Sequence, residues 1–570
     1  MAKTKTVYYS LAVSIALIVV LLVLAGCNND SSDTSKPVTP EVPVVSVIPT
    51  PVKLEQTEGG WSVDNTVNIV YEQNTELKDE ATYLADKLKQ NNNLSLNVKE
   101  APVDDSTKTE KSIILSVEAS ATVSEEGYKL NIVDGQANII GNTEAGVLYG
   151  IQTLLQLLPY EKNTLPIVSI IDYPKFSWRG MHLDVARNFF SVDNIKKFID
   201  QLSYHKLNKF HWHLTDDQGW RIEIRNWPKL TEVGGCRAST PPYGDRTGSD
   251  GQQTCGYYTQ EEIKEVVAYA KSRHVEVIPE IDMPGHMAAA IAAYPKLGVT
   301  DTTEPFKPEV KTTWGVHPYL LNVDVHTLFV FVRQVFTQVA ELFPNSRYIH
   351  LGGDEATKEQ WKTSASTQDR IKELKLSNEN DLQRWFIRQA EKEINRKGFI
   401  AVGWDEIMEG RGIAGDDISK NMIVMAWRGQ DKGKEAAEKR YPVVMAAGLY
   451  FDHYQAPEKQ ELAKGVEYEA NCCLTTLKDV YNYVPVPPAL AKEYQPYILG
   501  AQGQLWSEYM HSWDKVEYQA FPRMAALSEM LWTPKERQNY EDFRGRLNSM
   551  LAYYERENIR YGEIYDGLKQ

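Results

Sequence analysis

After Tyr173-Pro174 the chain settles into one repeated pattern. Short apolar runs of strand length alternate with longer stretches of helical spacing, and eight such runs can be counted, at 180–185, 209–214, 275–281, 348–352, 399–404, 422–427, 442–447 and 497–506. Helices fit between several of them. Thr259 and Glu262 have capping-box spacing ahead of Ile263, Val266, Val267 and Ala270, and 325–343 is a second helical stretch. A strand followed by a helix before the next strand leaves few architectures open. Eight such units predict an α/β fold: a (β/α)8 TIM barrel, with its longest insertion at 450–494 after the seventh strand.

Residues 52–172 read as a small α+β domain. The runs 67–71, 113–117 and 128–132 look like strands, and 76–90 has helical spacing. A second helix over 143–158 puts Val147, Leu148, Ile151, Leu154, Leu155 and Leu158 on one face. No catalytic constellation stands out here, so a supporting role is expected. Residues 173–570 are then the catalytic barrel.

The first 51 residues carry no core. Lys3 and Lys5 precede an apolar run at 11–24 that ends in Leu24-Ala25-Gly26-Cys27. The run is almost long enough to be a transmembrane helix. Small residues directly before a cysteine, with no basic cluster after it, favour an export signal over 1–26 instead. The tetrapeptide resembles a bacterial lipobox, which implies lipidation of Cys27 as the mature N-terminus. Asn28 in the next position favours the outer membrane. The expected location is exported and lipid-anchored to a bacterial membrane, on the periplasmic or surface face. Pro37, Pro40, Pro43, Pro49 and Pro51, set among polar residues, make 27–51 a disordered tether.

The formal net charge of −15 repels phosphate backbones, so nucleic acid is not an expected partner. The remaining cysteines lack zinc-ligand spacing, and no metal or cofactor is expected. Cys236 and Cys255 flank a Gly/Pro/Ser/Thr loop and could staple it by a disulfide. Adjacent Cys472 and Cys473 would need a strained bridge, so thiols are expected there.

In a barrel of this kind the chemistry sits at the C-terminal ends of the strands. In order, those ends carry Asp184 and Arg187; His213, Asp216 and Asp217; Glu280, Asp282 and His286; Asp354 and Glu355; Trp404, Asp405 and Glu406; Trp427; Tyr450 and Asp452; Trp506 and Glu508. The fourth is the most informative: His350-Leu351-Gly352-Gly353-Asp354-Glu355. Two glycines let the backbone turn sharply where strand meets loop. Two adjacent carboxylates can then approach one substrate from different sides. Crowded carboxylates resist ionising together, so one of them is expected to hold a proton at neutral pH and serve as an acid. An isolated Asp-Glu pair would more often cap a helix; the double glycine and the barrel setting favour chemistry.

Several segments together resemble glycoside hydrolase family 20. They are Trp178 to Arg187, His211 to Trp220, Asp282-Met283-Pro284-Gly285-His286, the Gly-Gly-Asp-Glu run, Val402-Gly403-Trp404-Asp405-Glu406 and Leu505-Trp506-Ser507-Glu508. The resemblance spans about 52–540 and is weakest after the seventh strand. It implies an exo-acting, retaining β-N-acetylhexosaminidase whose carbohydrate substrate ends in a β-linked N-acetylhexosamine. In the implied mechanism the sugar's own 2-acetamido oxygen attacks the anomeric carbon and forms an oxazolinium ion. Glu355 would be the acid and then the base, Asp354 would hold the acetamido N–H, and Tyr450 would donate to its oxygen. Arg187, Asp452 and Glu508 would bind hydroxyls, and Trp404, Trp427 and Trp506 would wall the pocket. Asp216, Asp282 and His286 would orient Glu355.

Two rival readings use some of the same residues. His211 and His213 on one strand also suit a barrel metallohydrolase. A non-catalytic glycan-binding surface lipoprotein would keep the tryptophans and Arg187 but could dispense with the acid.

Overall fold

The computed structural model describes residues 45–102, 111–119, 122–158, 160–303, 305–455, 470 and 472–562. The expected signal segment and Cys27 lie outside these residues. Among the described residues, no helix is long and apolar enough to cross a membrane.

A seven-stranded sheet comes first, built from β1 (Lys53–Ser62), β2 (Asn68–Glu72), β3 (Asn97–Ala101), β4 (Ser112–Val117), β5 (Tyr128–Val133), β6 (Gln136–Gly141) and β7 (Thr164–Asp172). Its spatial order is β1-β7-β5-β6-β4-β2-β3. Strand β5 shows the governing physics: Tyr128, Leu130 and Ile132 are buried while Asn131 and Val133 are exposed, the period of a sheet with one covered face. Helices Lys78–Asn92 and Glu144–Leu157 provide that cover, with Leu84, Leu88, Val147, Ile151 and Leu154 fully buried.

The barrel opens with β8 (Trp178–Asp184) and β9 (Lys209–His213). Two short ribbons follow, β10 (Thr215–Asp216) with β11 (Gly219–Trp220), and β12 (Cys236–Arg237) with β13 (Thr254–Cys255). The remaining barrel strands are β14 (Glu276–Glu280), β15 (Tyr348–His350), β16 (Ile400–Trp404), β17 (Ile423–Ala426), β18 (Val443–Met445) and β19 (Ile498–Gly503). The eight parallel strands close in the order β14-β15-β16-β17-β18-β19-β8-β9. All eight runs expected from the sequence are there. The eighth is shorter than its apolar run, because Gln504 to Trp506 leave the barrel to form its mouth.

Register aligns the chemistry. Asp184 pairs with His213, His213 with Glu280, and Glu280 with His350. One layer at the C-terminal rim therefore collects four titratable side chains from four strands. Inside the barrel, Trp178, Ile278, Val402, Met425 and Val444 pack together. Outside it, the larger cluster joins strands to helices such as Gln260–Lys271, whose Thr259–Glu262 capping box is formed.

The small domain docks on buried polar contacts. Arg179 of β8 makes two 2.8 Å bonds to Glu126. Lys206 donates to Tyr128, Thr153 and Asp172, and Trp532 donates to Asp172 at 2.9 Å.

The expected tether reaches too far. Its residues 45–51 are packed rather than extended into solvent. Val47 and Ile48 are buried, Ile48 N–H donates to Gln156 at 2.8 Å, and Arg546 donates to the Val47 carbonyl at 2.7 Å. Proline-rich composition masks this segment, because Val47 and Ile48 are held by Arg546 and Gln156, on helices far along the chain.

Candidate active site

At the barrel mouth, a cavity of about 200 Å³ is lined by Arg187, Asp216, His286, Asp354, Glu355, Trp404, Trp427, Tyr450, Asp452, His453, Trp506 and Glu508. It gathers every site residue expected from the sequence except Asp282, which lies directly behind, and it adds His453. A larger cavity of about 320 Å³ lies elsewhere, between Ile48, Gln156 and the helix Tyr540–Arg556, and no carboxylate pair is among its described lining residues.

The turn after β15 sets the two carboxylates. Gly352 has φ +74° and Gly353 +105°, and a Cβ on Gly352 would meet Asp282 Oδ1 at 1.7 Å. Only glycine fits there. Gly353 N–H donates to that same Asp282 oxygen at 3.2 Å. Glu355 and His286 hold φ of 49° and 52°, in the left-handed region that only a few per cent of non-glycine residues adopt.

A chain of alternating charge runs from the barrel interior to this turn. His213 joins Glu280 through Nδ1 and Asp216 through Nε2, the latter at 2.9 Å. Asp216 meets His286 Nδ1 at 3.1 Å and Arg187 Nη2 at 2.9 Å. His286 Nε2 then faces Glu355 at 3.4 Å and Asp354 at 3.6 Å. Burial alone would lower both imidazoles. Glu280 and Asp216 together outweigh it at His213, and Asp216 with Asp354 outweigh it at His286, so both are held well above their usual range as cations. Burial alone would likewise raise Asp216, but Arg187 and His286 hold it well below its ordinary value.

The pair divides its proton unexpectedly. Burial, reinforced by Glu355, raises Asp354 to about 6. Glu355 is held below its ordinary value: burial pushes it up, but His286 outweighs that. The side chain of Asp354 is 11% exposed and that of Glu355 36%, which explains why desolvation falls mainly on Asp354. In the free enzyme the raised carboxyl is therefore Asp354, not the residue expected as the acid. Asp354 Oδ1 is buried without a hydrogen-bond partner among the described residues. Such an atom needs a donor from elsewhere.

Three tryptophans surround these groups. Trp404 Nε1 donates to Glu280 at 2.8 Å and Trp427 Nε1 to Glu406 at 2.8 Å, so each ring is locked from behind. Trp404 and Trp506 have ring centres 5.9 Å apart, and the Arg187 guanidinium lies 5.2 Å over Trp506. The sequence marks Glu406 as a strand-end residue within the Val402 to Glu406 segment and assigns it no role. Burial and then Asp354 raise it to about 8, so it is neutral at pH 7 and adds no charge beside the pair.

Arg187 is fixed by Asp184 at 3.2 Å, Gln218 at 2.9 Å and Asp216. Glu508, in the pocket wall, is raised by burial despite Arg187, and its Oε2 lacks a partner among the described residues. Tyr450 stacks on His453 with ring centres 5.1 Å apart and planes 17° apart. Sequence reasoning misses His453: it follows Asp452 on an irregular loop where no periodicity marks an inward side chain. Cys236 and Cys255 are bonded as facing residues of β12 and β13.

The arrangement can enclose one sugar-sized ring among indoles, present two neighbouring carboxyls to it, and leave buried acceptors for N–H or O–H groups. The sequence profile "Glycosyl hydrolase family 20, catalytic domain" matches residues 176–535, and that family's domain 2 matches 44–173. A β-hexosaminidase of Porphyromonas gingivalis is 39% identical over 561 residues, 96% of this chain and 68% of that protein. The solved GH20 exo-β-N-acetylglucosaminidase of Vibrio harveyi, in complex with N-acetylglucosamine, superposes with a TM-score of 0.79 at 29% identity, over 92% of this chain and 79% of the other. The GH20 β-N-acetylhexosaminidase of Streptomyces coelicolor gives 0.75 at 27%, over 92% and 98%. With a carboxylate pair and an indole-walled pocket at the rim of a barrel that this profile matches, the chain belongs to glycosyl hydrolase family 20 and is a glycoside hydrolase of the β-hexosaminidase type.

Proposed function

We propose that the protein removes one terminal, non-reducing, β-linked N-acetylhexosamine (GlcNAc or GalNAc) at a time from glycans or chitooligosaccharides, with retention, through an oxazolinium intermediate. The observation that carries this reading is the buried Oδ1 of Asp354, without a hydrogen-bond partner among the described residues, in the wall of a one-sugar pocket. A 2-acetamido N–H supplies the missing donor. The bound amide oxygen then attacks the anomeric carbon as the glycosidic C–O bond breaks, and the proton of Glu355 goes to the leaving oxygen. In the second step water adds to the anomeric carbon, Glu355 takes a proton from it, and the bond to the amide oxygen breaks. Asp354 stabilises the positive charge that develops on the amide.

The proton distribution of the free enzyme supports such a cycle. A sugar covering Glu355 removes it from water and raises its pKa. An N–H donated to Asp354 stabilises that carboxylate and lowers its own. Substrate thus moves the shared proton toward the acid. Tyr450 aims the amide oxygen, Arg187, Asp452 and Glu508 take the ring hydroxyls, and Trp404, Trp427 and Trp506 enclose the acetamido methyl and ring face.

The test is release of 4-nitrophenol by purified protein from its N-acetyl-β-glucosaminide, N-acetyl-β-galactosaminide and plain β-glucoside. The reading requires turnover of at least one amino sugar and none of the glucoside. Equal hydrolysis of the glucoside overturns it.

The tetrapeptide ending at Cys27 supports a further part of the proposal: 1–26 is removed on export and lipid on Cys27 holds the enzyme at a bacterial membrane, the outer one by virtue of Asn28. Cys27→Ser should release activity from the membrane fraction into the soluble one, and unchanged fractionation would refute the anchor.

A further inference from the structure

One group of soft ligands stands open to solvent beside the pocket. Ligand atoms of His453, Cys472 and Cys473 all lie within 4.8 Å of one another. The two thiols are exposed, with sulfurs 2.6 Å apart. They reach His453 from a later segment of the chain, and the two segments are tied. Tyr454 N–H donates to the Cys473 carbonyl at 3.2 Å, and Thr475 N–H donates to the Tyr454 carbonyl at 2.9 Å. Buried Arg523 clamps both, donating to the carbonyls of His453 at 3.2 Å and Thr475 at 2.8 Å. His453 is oriented by Thr475 Oγ1 at 3.1 Å from its Nδ1.

We propose that His453, Cys472 and Cys473 form a binding site for a thiophilic divalent cation of the zinc or cadmium type, and that its occupancy slows sugar turnover. Two thiolates and one imidazole are a borderline-soft donor set, and solvent can complete a fourth position. On binding, each thiol loses a proton to solvent and two metal–sulfur bonds form, with no change of oxidation state. The link to the pocket is direct. His453 lines it and is the ring against which Tyr450 stacks. A cation that holds His453 toward the sulfurs shifts the support of Tyr450.

Cadmium chloride is the probe, titrated into the full-length protein and followed by the near-ultraviolet charge-transfer absorption of cadmium thiolate. The band should saturate at one equivalent. It should fall to about half in Cys473→Ser and vanish in Cys472→Ser/Cys473→Ser, while Cys27 is present throughout. Zinc chloride should displace it. One equivalent of cadmium should lower the rate on the aryl N-acetyl-β-glucosaminide by at least tenfold, reversed by EDTA. The double variant should keep the basal rate and lose the sensitivity. No band at one equivalent, or a band retained by the double variant, overturns the site. A normal band with an unchanged rate overturns the coupling. A protein inactive on every amino sugar that still shows the band would refute the hydrolytic proposal and leave the site standing.

Discussion

His286 Nε2 lies 3.4 Å from Glu355 Oε2, while the other ring nitrogen is 3.1 Å from Asp216. Histidine, held protonated, positions the acid and keeps its pKa low. His286→Ala should lower kcat/KM by on the order of a hundredfold, since a misaimed acid costs about that much. It should also move the pKa of Glu355 upward, because the nearest cation is gone. Rate–pH profiles distinguish this from simple loss of packing, which would leave the pKa where it was.

The carboxylate pair works with one proton between its members. In the free enzyme that proton is lost from Asp354 at about pH 6. Above this value kcat/KM should fall tenfold per pH unit. In Asp354→Asn the remaining proton sits on Glu355, which His286 holds low, so the falling limb should move to lower pH. A limb that stays at the same pH in the variant would contradict the assignment.

Leaving-group dependence separates the two acids. Glu355→Gln should lose about 10²–10⁴-fold on poor leaving groups and far less on activated aryl glycosides, where protonation matters little. Asp354→Asn should slow both by about 10²–10³-fold, since the amide loses its stabilising charge in either case. Steady-state rates on alkyl and nitrophenyl substrates decide it, and equal near-wild-type rates for both variants would contradict these roles.

Glu126 reaches from the small domain to a fully buried Arg179. Glu126→Gln strands that guanidinium and should destabilise the fold by about 3 kcal/mol, seen as a lower urea midpoint at pH 7. Burial raises the Glu126 carboxyl, but Arg179 outweighs it and sets the folded value at about 2, below the ordinary 4.5. The contribution is therefore complete above about pH 4.5 and is lost as pH falls through 2. Wild type and variant should converge over that window.

The order of strands, the rim positions and the Asp354-Glu355 pair are legible in the amino-acid sequence. Strand-ending residues are local in sequence, and a barrel sends all such ends to one face. The glycines before the pair likewise mark a sharp turn by themselves. Residues 45–51 and His453 are not legible, for one common reason: each gains its role from partners far along the chain. Ile48 meets Gln156, more than a hundred residues on, and His453 faces sulfurs across an irregular loop.

By itself, then, the sequence determined most of the side chains that meet at the mouth, because alternation and turn chemistry act over a few residues. Only the tertiary structure decided how they are charged. Desolvation and Coulomb interactions depend on distances through space, and those put the raised pKa on Asp354, the cation on His286, and an acceptor without a partner among the described residues where an amide N–H can fit.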